Sequence, residues 1–385
     1  MILILALLMA PALWGCKSAA STGGSASSEP IRVGAILSLT GPYAALGTSE
    51  KNALDLEAKR INDEGGVGGR RIEIIIEDDA TDEAKSVAAA TKLIEQDRVA
   101  AILGATGTGQ SMAARTVIDR AGVPMISMAG GNAITGKFDK LVFQTPWPNS
   151  LVVPLVLKKI AADGHSKVAV VSDSSGYGKD GLAVIMSDAA KNSLTIAANE
   201  VFKPGDTDFS AQLTKVKSSG ADSVLLWTAG KEGAGIVKQA ESLGLKVPMY
   251  GGSGQAKVEF PQGAGAAAEG FIFGTGKSLV PANWGEGTEE FKVVDGFAKR
   301  YQMAYDAAPD IFAGHAFDAL NILTDSIKRS GGDTTPAKLR DAIEQTKGLV
   351  GFGGKFTFSA TDHNGLTEQD LALYKIENGT WVPIP

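Results

Sequence analysis

The chain has 385 residues, 44% of them hydrophobic, enough for two domains with substantial cores. Its 37 Lys and Arg against 43 Asp and Glu leave a net charge of −6 with no basic run, which argues against nucleic acid or an anionic membrane surface as its main partner. A single cysteine excludes an intrachain disulfide.

The opening stretch MILILALLMAPALWG, residues 1–15, is apolar and too short to span a bilayer, so it reads as a signal peptide. It ends at Cys16, with Leu13 three residues earlier and Gly15 just before it. That arrangement is similar to a bacterial lipobox, although Trp14 is bulky for its place and no Lys or Arg precedes the apolar core. Residues 16–30 then read as a lipid anchor and a flexible Ser/Gly linker. The competing reading is a stray apolar leader with an ordinary cysteine.

From Ile31 the pattern becomes regular. Short apolar runs at Ile31–Leu37, within Arg70–Asp79, at Val99–Leu103 and at Val123–Ser127 predict strands. Helical stretches separate them, over about 46–62, about 84–94 and about 110–121. Ala84, Val87, Ala88, Thr91 and Ile94 fall on one face of the second helix, which predicts that this face is buried. The order restarts after Ser150. Helices are expected near 151–162, 177–192, 209–216 and 236–243, with strands at Lys167–Asp173 and Asp222–Trp227; Asp206 or Asp208 is the expected cap of the third helix. Strands that are apolar throughout and alternate with helices mean a parallel α/β sheet covered on both faces. Beyond Pro281 the chain is mostly helical, with short strands near 354–358 and 371–376, and it completes the first two units.

One loop needs explanation. Gly104-Ala105-Thr106-Gly107-Thr108-Gly109-Gln110-Ser111 matches a phosphate loop except that Gln110 stands where the lysine belongs. It follows a strand and opens a helix, so its free N–H groups can meet an anion. Gln110 cannot reach and neutralise a nucleotide's phosphates, so the loop reads as a cradle for a different anion.

The stretches Leu39–Gly47, Ile61–Ile94, Gly205–Leu226 and Ala316–Gly332 closely resemble the periplasmic branched-chain amino acid (Leu/Ile/Val) binding protein family, and the similarity runs in order from Ile31 to Pro385. The resemblance implies a type I periplasmic binding protein fold, with two Rossmann-like lobes, three crossovers and a ligand cleft between the lobes. Crossovers near Trp147, Leu279 and Leu366 would make lobe one 31–147 plus 280–365 and lobe two 148–279 plus 366–385. It further implies a monomer without cofactor or metal that hands its solute to the permease subunits of an ABC importer.

The resemblance also carries site residues. Thr108 would offer its hydroxyl to a ligand carboxylate, and the turn after the next strand would add Ala129 and Gly131, the latter in place of a frequent threonine. Leu46 would line the apolar pocket. Tyr177 would close over the ligand from lobe two; otherwise it is a surface residue beginning a helix. Trp147 and Trp227 stand where aromatics could stack on a ligand or simply pack at the lobe boundary. Ser253 departs most: family members that bind amino acids carry Asp or Glu there, facing the ligand's ammonium. Either Glu259 or another acid reaches in, or the ligand has no ammonium. The expected function is a receptor for a small hydrophobic amino acid or related carboxylate. The alternatives are a receptor for an amine-free aromatic or aliphatic acid, a sensor subunit, and an extracytoplasmic hydrolase. His165, His315 and His363 are scattered and make no zinc motif.

Overall fold

The computed structural model describes residues 29–136 and 139–385; the leader, Cys16 and most of the linker lie outside these. Strand β1 (Ile31–Leu37), helix α1 (Ala44–Asp63), β2 (Ile72–Asp78), α2 (Glu83–Glu95), β3 (Ile102–Gly104), α3 (Thr108–Ala121), β4 (Met125–Ser127) and β5 (Val142–Gln144) build a first unit. Its parallel sheet has the order β2-β1-β3-β4-β5. All but one residue of β1 is buried, as a strand covered by helices on both faces requires.

The chain then passes to a second sheet through α4 (Asn149–Ala162), β6 (Lys167–Asp173), α5 (Gly176–Asp188), β7 (Thr195–Phe202), α6 (Ser210–Ser218), β8 (Ser223–Trp227), α7 (Glu232–Ser242), β9 (Met249–Gly251), α8 (Glu259–Ala264) and β10 (Ile272–Gly276). It returns to pack α9 (Glu289–Tyr305) and α10 (Ile311–Arg329) against α1. Helix α11 (Pro336–Glu344) and a small hairpin, β11 (Lys347–Val350) with β12 (Lys355–Thr357), follow. A last passage adds β13 (Leu371–Glu377) and β14 (Thr380–Ile384), antiparallel, to the edge of the second sheet, whose order is β14-β13-β10-β9-β8-β6-β7.

Both sheets reverse their winding beside their first strand, between β1 and β3 and between β6 and β8. Ligands of open α/β sheets collect at such switch points, beyond the carboxyl ends of the strands. Here the ends of β1, β3 and β4 face those of β6, β8 and β9.

Several local expectations are corrected. The buried face of α2 is Ser86, Ala89, Ala90 and Leu93, not the set Ala84, Val87, Ala88, Thr91 and Ile94, because α2 packs on α3 as well as on the sheet. Helix α6 begins after Phe209 with no side-chain cap. Asp208 instead accepts from the Ser210 N–H at 2.9 Å, and Asp206 from the Lys203 N–H at 2.8 Å. The sequence pattern predicts no strand at β5, β7, β9, β10 or β14; three-residue strands such as β5 and β9 are too short to show a period.

Candidate functional site

Strand β3 ends at Gly104, and the chain turns through Thr106 and Gly107 into α3, whose first residue is Thr108. Gly107, the N-cap, brings no side-chain oxygen to the first turn of α3, so that turn is free to meet a ligand. Ser111 does not face a metal site. Its hydroxyl accepts from the Ala105 N–H at 3.1 Å and bonds Ser127 Oγ at 2.9 Å, pinning the loop to the end of β4. Gln110 folds back over Gly107 so closely that a Cβ on Gly107 would come within 2.1 Å of Gln110 Oε1. The loop therefore has neither the cation nor the metal ligand of a nucleotide site. What remains open is Thr108 Oγ1, on a residue only 3% exposed, without any hydrogen-bond partner. A buried hydroxyl is nearly always bonded, so an orphan at a helix N-terminus marks a place for an acceptor.

That hydroxyl lies in a cavity of about 460 Å³, its open mouth included, where the two sheets face each other. Leu46, Thr108, Ala129, Trp147, Tyr177 and Ser253 all line it. Gly131 and Trp227 do not; each lies one layer behind. A Cβ at Gly131 would sit 2.3 Å from Thr108 Cγ2, so the bare glycine is what lets Thr108 stand as it does. Trp227 is stacked behind Tyr177, with ring centroids 6.0 Å apart and an interplanar angle of 16°.

The lining also contains residues without any local signal in the sequence. Tyr43 and Thr106 come from loops, Met128 follows β4, and Ile311, Phe312 and His315 come from the start of α10. Thr106 donates to Glu50 and accepts from the Ser38 N–H at 3.0 Å. Burial raises Glu50 well above the ordinary carboxylate range. The Trp147 indole donates to the Gly353 carbonyl at 2.9 Å, and its ring meets His315 edge-on, centroids 5.2 Å apart. Burial pushes His315 down to about 3, so it is neutral at physiological pH. Glu259 is exposed and lines a separate cavity between α1, α8 and α9.

Across the cleft the two units touch directly. Gly176, at the start of α5, lies so near α3 that a Cβ there would come within 2.6 Å of the Gly109 nitrogen. Asp180 of α5 accepts from the main-chain N–H groups of Asn132 at 2.9 Å and Ala133 at 3.0 Å, both in the turn after β4. Asn149 Nδ2 donates to the same carboxylate at 2.7 Å, and Asn149 Oδ1 accepts from the Trp227 indole at 3.2 Å. Among the described residues no group of three His, Cys, Asp or Glu is placed to hold a metal ion, and no helix is long and apolar enough to cross a membrane.

A model of the periplasmic binding protein family matches residues 30–380. Leu/Ile/Val-binding protein homolog 3 of Brucella melitensis is 28% identical over 361 residues, covering 92% of this chain and 94% of its own. An extracellular ligand-binding receptor from Rhodopseudomonas palustris superposes with a TM-score of 0.87 at 26% identity, over 92% of this chain and 99% of that one. The branched-chain amino acid transporter substrate-binding protein LivJ of Streptococcus pneumoniae, solved in complex with isoleucine, superposes with a TM-score of 0.80 at 28% identity, over 92% and 100%. With two facing α/β sheets, a cavity between them and relatives that bind solutes rather than catalyse reactions, this chain belongs to the periplasmic binding protein family and is a solute-binding protein of the type I fold, not an enzyme.

Proposed function

We propose that the protein is the extracytoplasmic receptor of an ABC importer and captures a small hydrophobic amino acid or related carboxylate between its lobes. In this reading lobe one is 31–147 plus 280–365 and lobe two is 148–279 plus 366–385. Lipid on Cys16 tethers a monomer that hands its solute to the permease subunits. The observation that carries the reading is the orphan Thr108 hydroxyl at the N-terminus of α3, facing a cavity that Tyr177 and Ser253 close from the other sheet. A helix N-terminus carries partial positive charge and free N–H groups, which suits a carboxylate. Thr108 with the backbone of Ala129 and Gly131 would hold that group, while Leu46, Trp147 and Tyr177, backed by Trp227, would enclose the apolar remainder. The Leu/Ile/Val and isoleucine named for two relatives, and the transporter named for one, support the solute class and the importer.

The test is a thermal-shift and solution-scattering panel of amino acids and organic acids. A cognate solute that binds only the folded state adds roughly 2.7 kcal/mol at a hundredfold excess over Kd, so it raises Tm and compacts the protein. A broad panel that produces neither effect refutes the receptor reading.

A further inference from the structure

The cleft treats the two ends of an amino acid unequally. For a carboxylate it offers the first turn of α3 and the unpartnered Thr108 hydroxyl. A cation also stands behind the wall: Lys257, 3% exposed, donates from Nζ to the carbonyls of Ala229, itself a lining residue, and of Gly230 at 3.1 Å. Burial pushes Lys257 down to about 8, which leaves it mostly charged at neutral pH.

For an ammonium it offers little. No Asp or Glu is among the residues lining the cavity. Ser253 stands where such an acid would serve, and its hydroxyl is turned toward the Gly274 carbonyl at 3.4 Å. Asp173, near Tyr177, is taken up by the Ser175 N–H at 2.9 Å and by the Ser175 and Thr228 hydroxyls. Glu50 does not line the cavity and accepts from the Thr106 hydroxyl, and Glu259 faces the other cavity. Several of the lining main-chain carbonyls already accept a hydrogen bond. Ala129 accepts from Gln144 Nε2 at 2.7 Å, Gly130 from the Asn149 N–H at 3.0 Å, Gly107 from the Ser111 N–H at 2.9 Å and Pro146 from Asn364 Nδ2 at 2.8 Å. Ala229 already holds Lys257. An ammonium brought here would be desolvated with no carboxylate in the cavity wall to pair with, a situation that buried ions tolerate poorly.

We propose that the solute is a small apolar monocarboxylate without an ammonium group, an aliphatic or single-ring acid. The apolar body would lie among Leu46, Met128, Trp147, Ile311 and Phe312. The Nδ1 of the neutral His315 ring, which has no hydrogen-bond partner, gives that end one polar contact, so a hydroxyl or carbonyl on the acid's body is accepted there. This proposal rests on the receptor reading above and narrows its solute class.

The test is isothermal titration of the full chain with two matched pairs, leucine against isocaproate and phenylalanine against hydrocinnamate, which differ only in the amine. In at least one pair the amine-free acid is expected to bind at least about a hundredfold more tightly than its amino acid. Ser253→Asp is expected to weaken the acid at least about tenfold and to strengthen the matching amino acid, whose ammonium then meets a carboxylate. Ser253→Ala, which keeps the site neutral, is expected to preserve the preference and so separates charge from folding. Amino acids that bind as tightly as their deaminated partners overturn the proposal, as does a Ser253→Asp variant that folds and keeps the wild-type preference. Silence from all four compounds overturns it as well. The receptor reading falls with it only if the wider panel is also silent.

Discussion

Asp180 joins the two units across the cleft, and its removal is expected to release bound solute. Its carboxylate rides on α5, beside the second sheet, yet accepts from the N–H groups of Asn132 and Ala133 in the turn that follows β4 of the first. That turn continues from Ala129 and Gly130, which line the cavity. Net of exchange with water, a hydrogen bond at a partly exposed site contributes on the order of 1 kcal/mol. When the lobes part, both N–H groups regain water, so the pair together is worth about 2 kcal/mol to the closed state. That corresponds to a change of about thirtyfold in affinity. Asp180→Ala is therefore expected to raise the Kd about thirtyfold, mostly through faster dissociation, because contacts made after encounter act on the off-rate. Stopped-flow fluorescence reads both rates with the tightest solute of the panel, since Tyr177, Trp147 and Trp227 lie at or behind the cleft. Unchanged dissociation refutes the argument. So does a loss of Tm as large without solute as with it, since the carboxylate would then be serving the fold of α5 and α4 through Asn149 rather than closure.

Gly131→Ala places a Cβ within 2.3 Å of Thr108 Cγ2, and a β-branched side chain has few rotamers to escape into. The same Cβ would come within 2.8 Å of Thr108 Oγ1, so solute affinity is expected to fall about tenfold with little loss of Tm; an unchanged Kd refutes the contact. Cys16→Ala is expected to move the protein from the membrane fraction to the soluble one while its Kd stays the same. Continued membrane association without an acyl mass on Cys16 removes the lipid anchor.

The parts of the cleft that can be read from the sequence are those where one local element dictates a position. Thr108 is the first residue of a helix that a glycine-rich turn joins to a strand, so its hydroxyl has to stand at the helix N-terminus. Ser253 is not dictated in this way: it follows β9, a strand the sequence pattern does not show, and only the family resemblance singles it out. Residues contributed by buried helices carry no such mark. In α10 fifteen of nineteen residues are buried, so His315 is indistinguishable by pattern from its packed neighbours. The second helix shows the same limit in a milder form: α2 packs on a sheet on one side and on α3 on another, and a helix covered twice no longer declares which apolar stripe is the inner one.

Depth is equally silent. Tyr177 and Trp227 both follow from strand ends that point to the cleft, yet only Tyr177 reaches it, because Gly181 lets the Trp227 indole tuck in behind; a Cβ at that glycine would come within 1.9 Å of Trp227 Nε1. For Lys257 the same silence bears on function. It lies four residues from Ser253, and nothing in the local stretch says whether it faces solvent or bonds the Ala229 carbonyl in the wall of the cavity. The missing acid at Ser253 can be read one residue at a time. The bonded carbonyls that give its absence a consequence come from the loops after β3, β4, β5 and β8. The sign of charge that the cleft favours is therefore a property of the assembled wall, and one substitution at Ser253 is enough to test it.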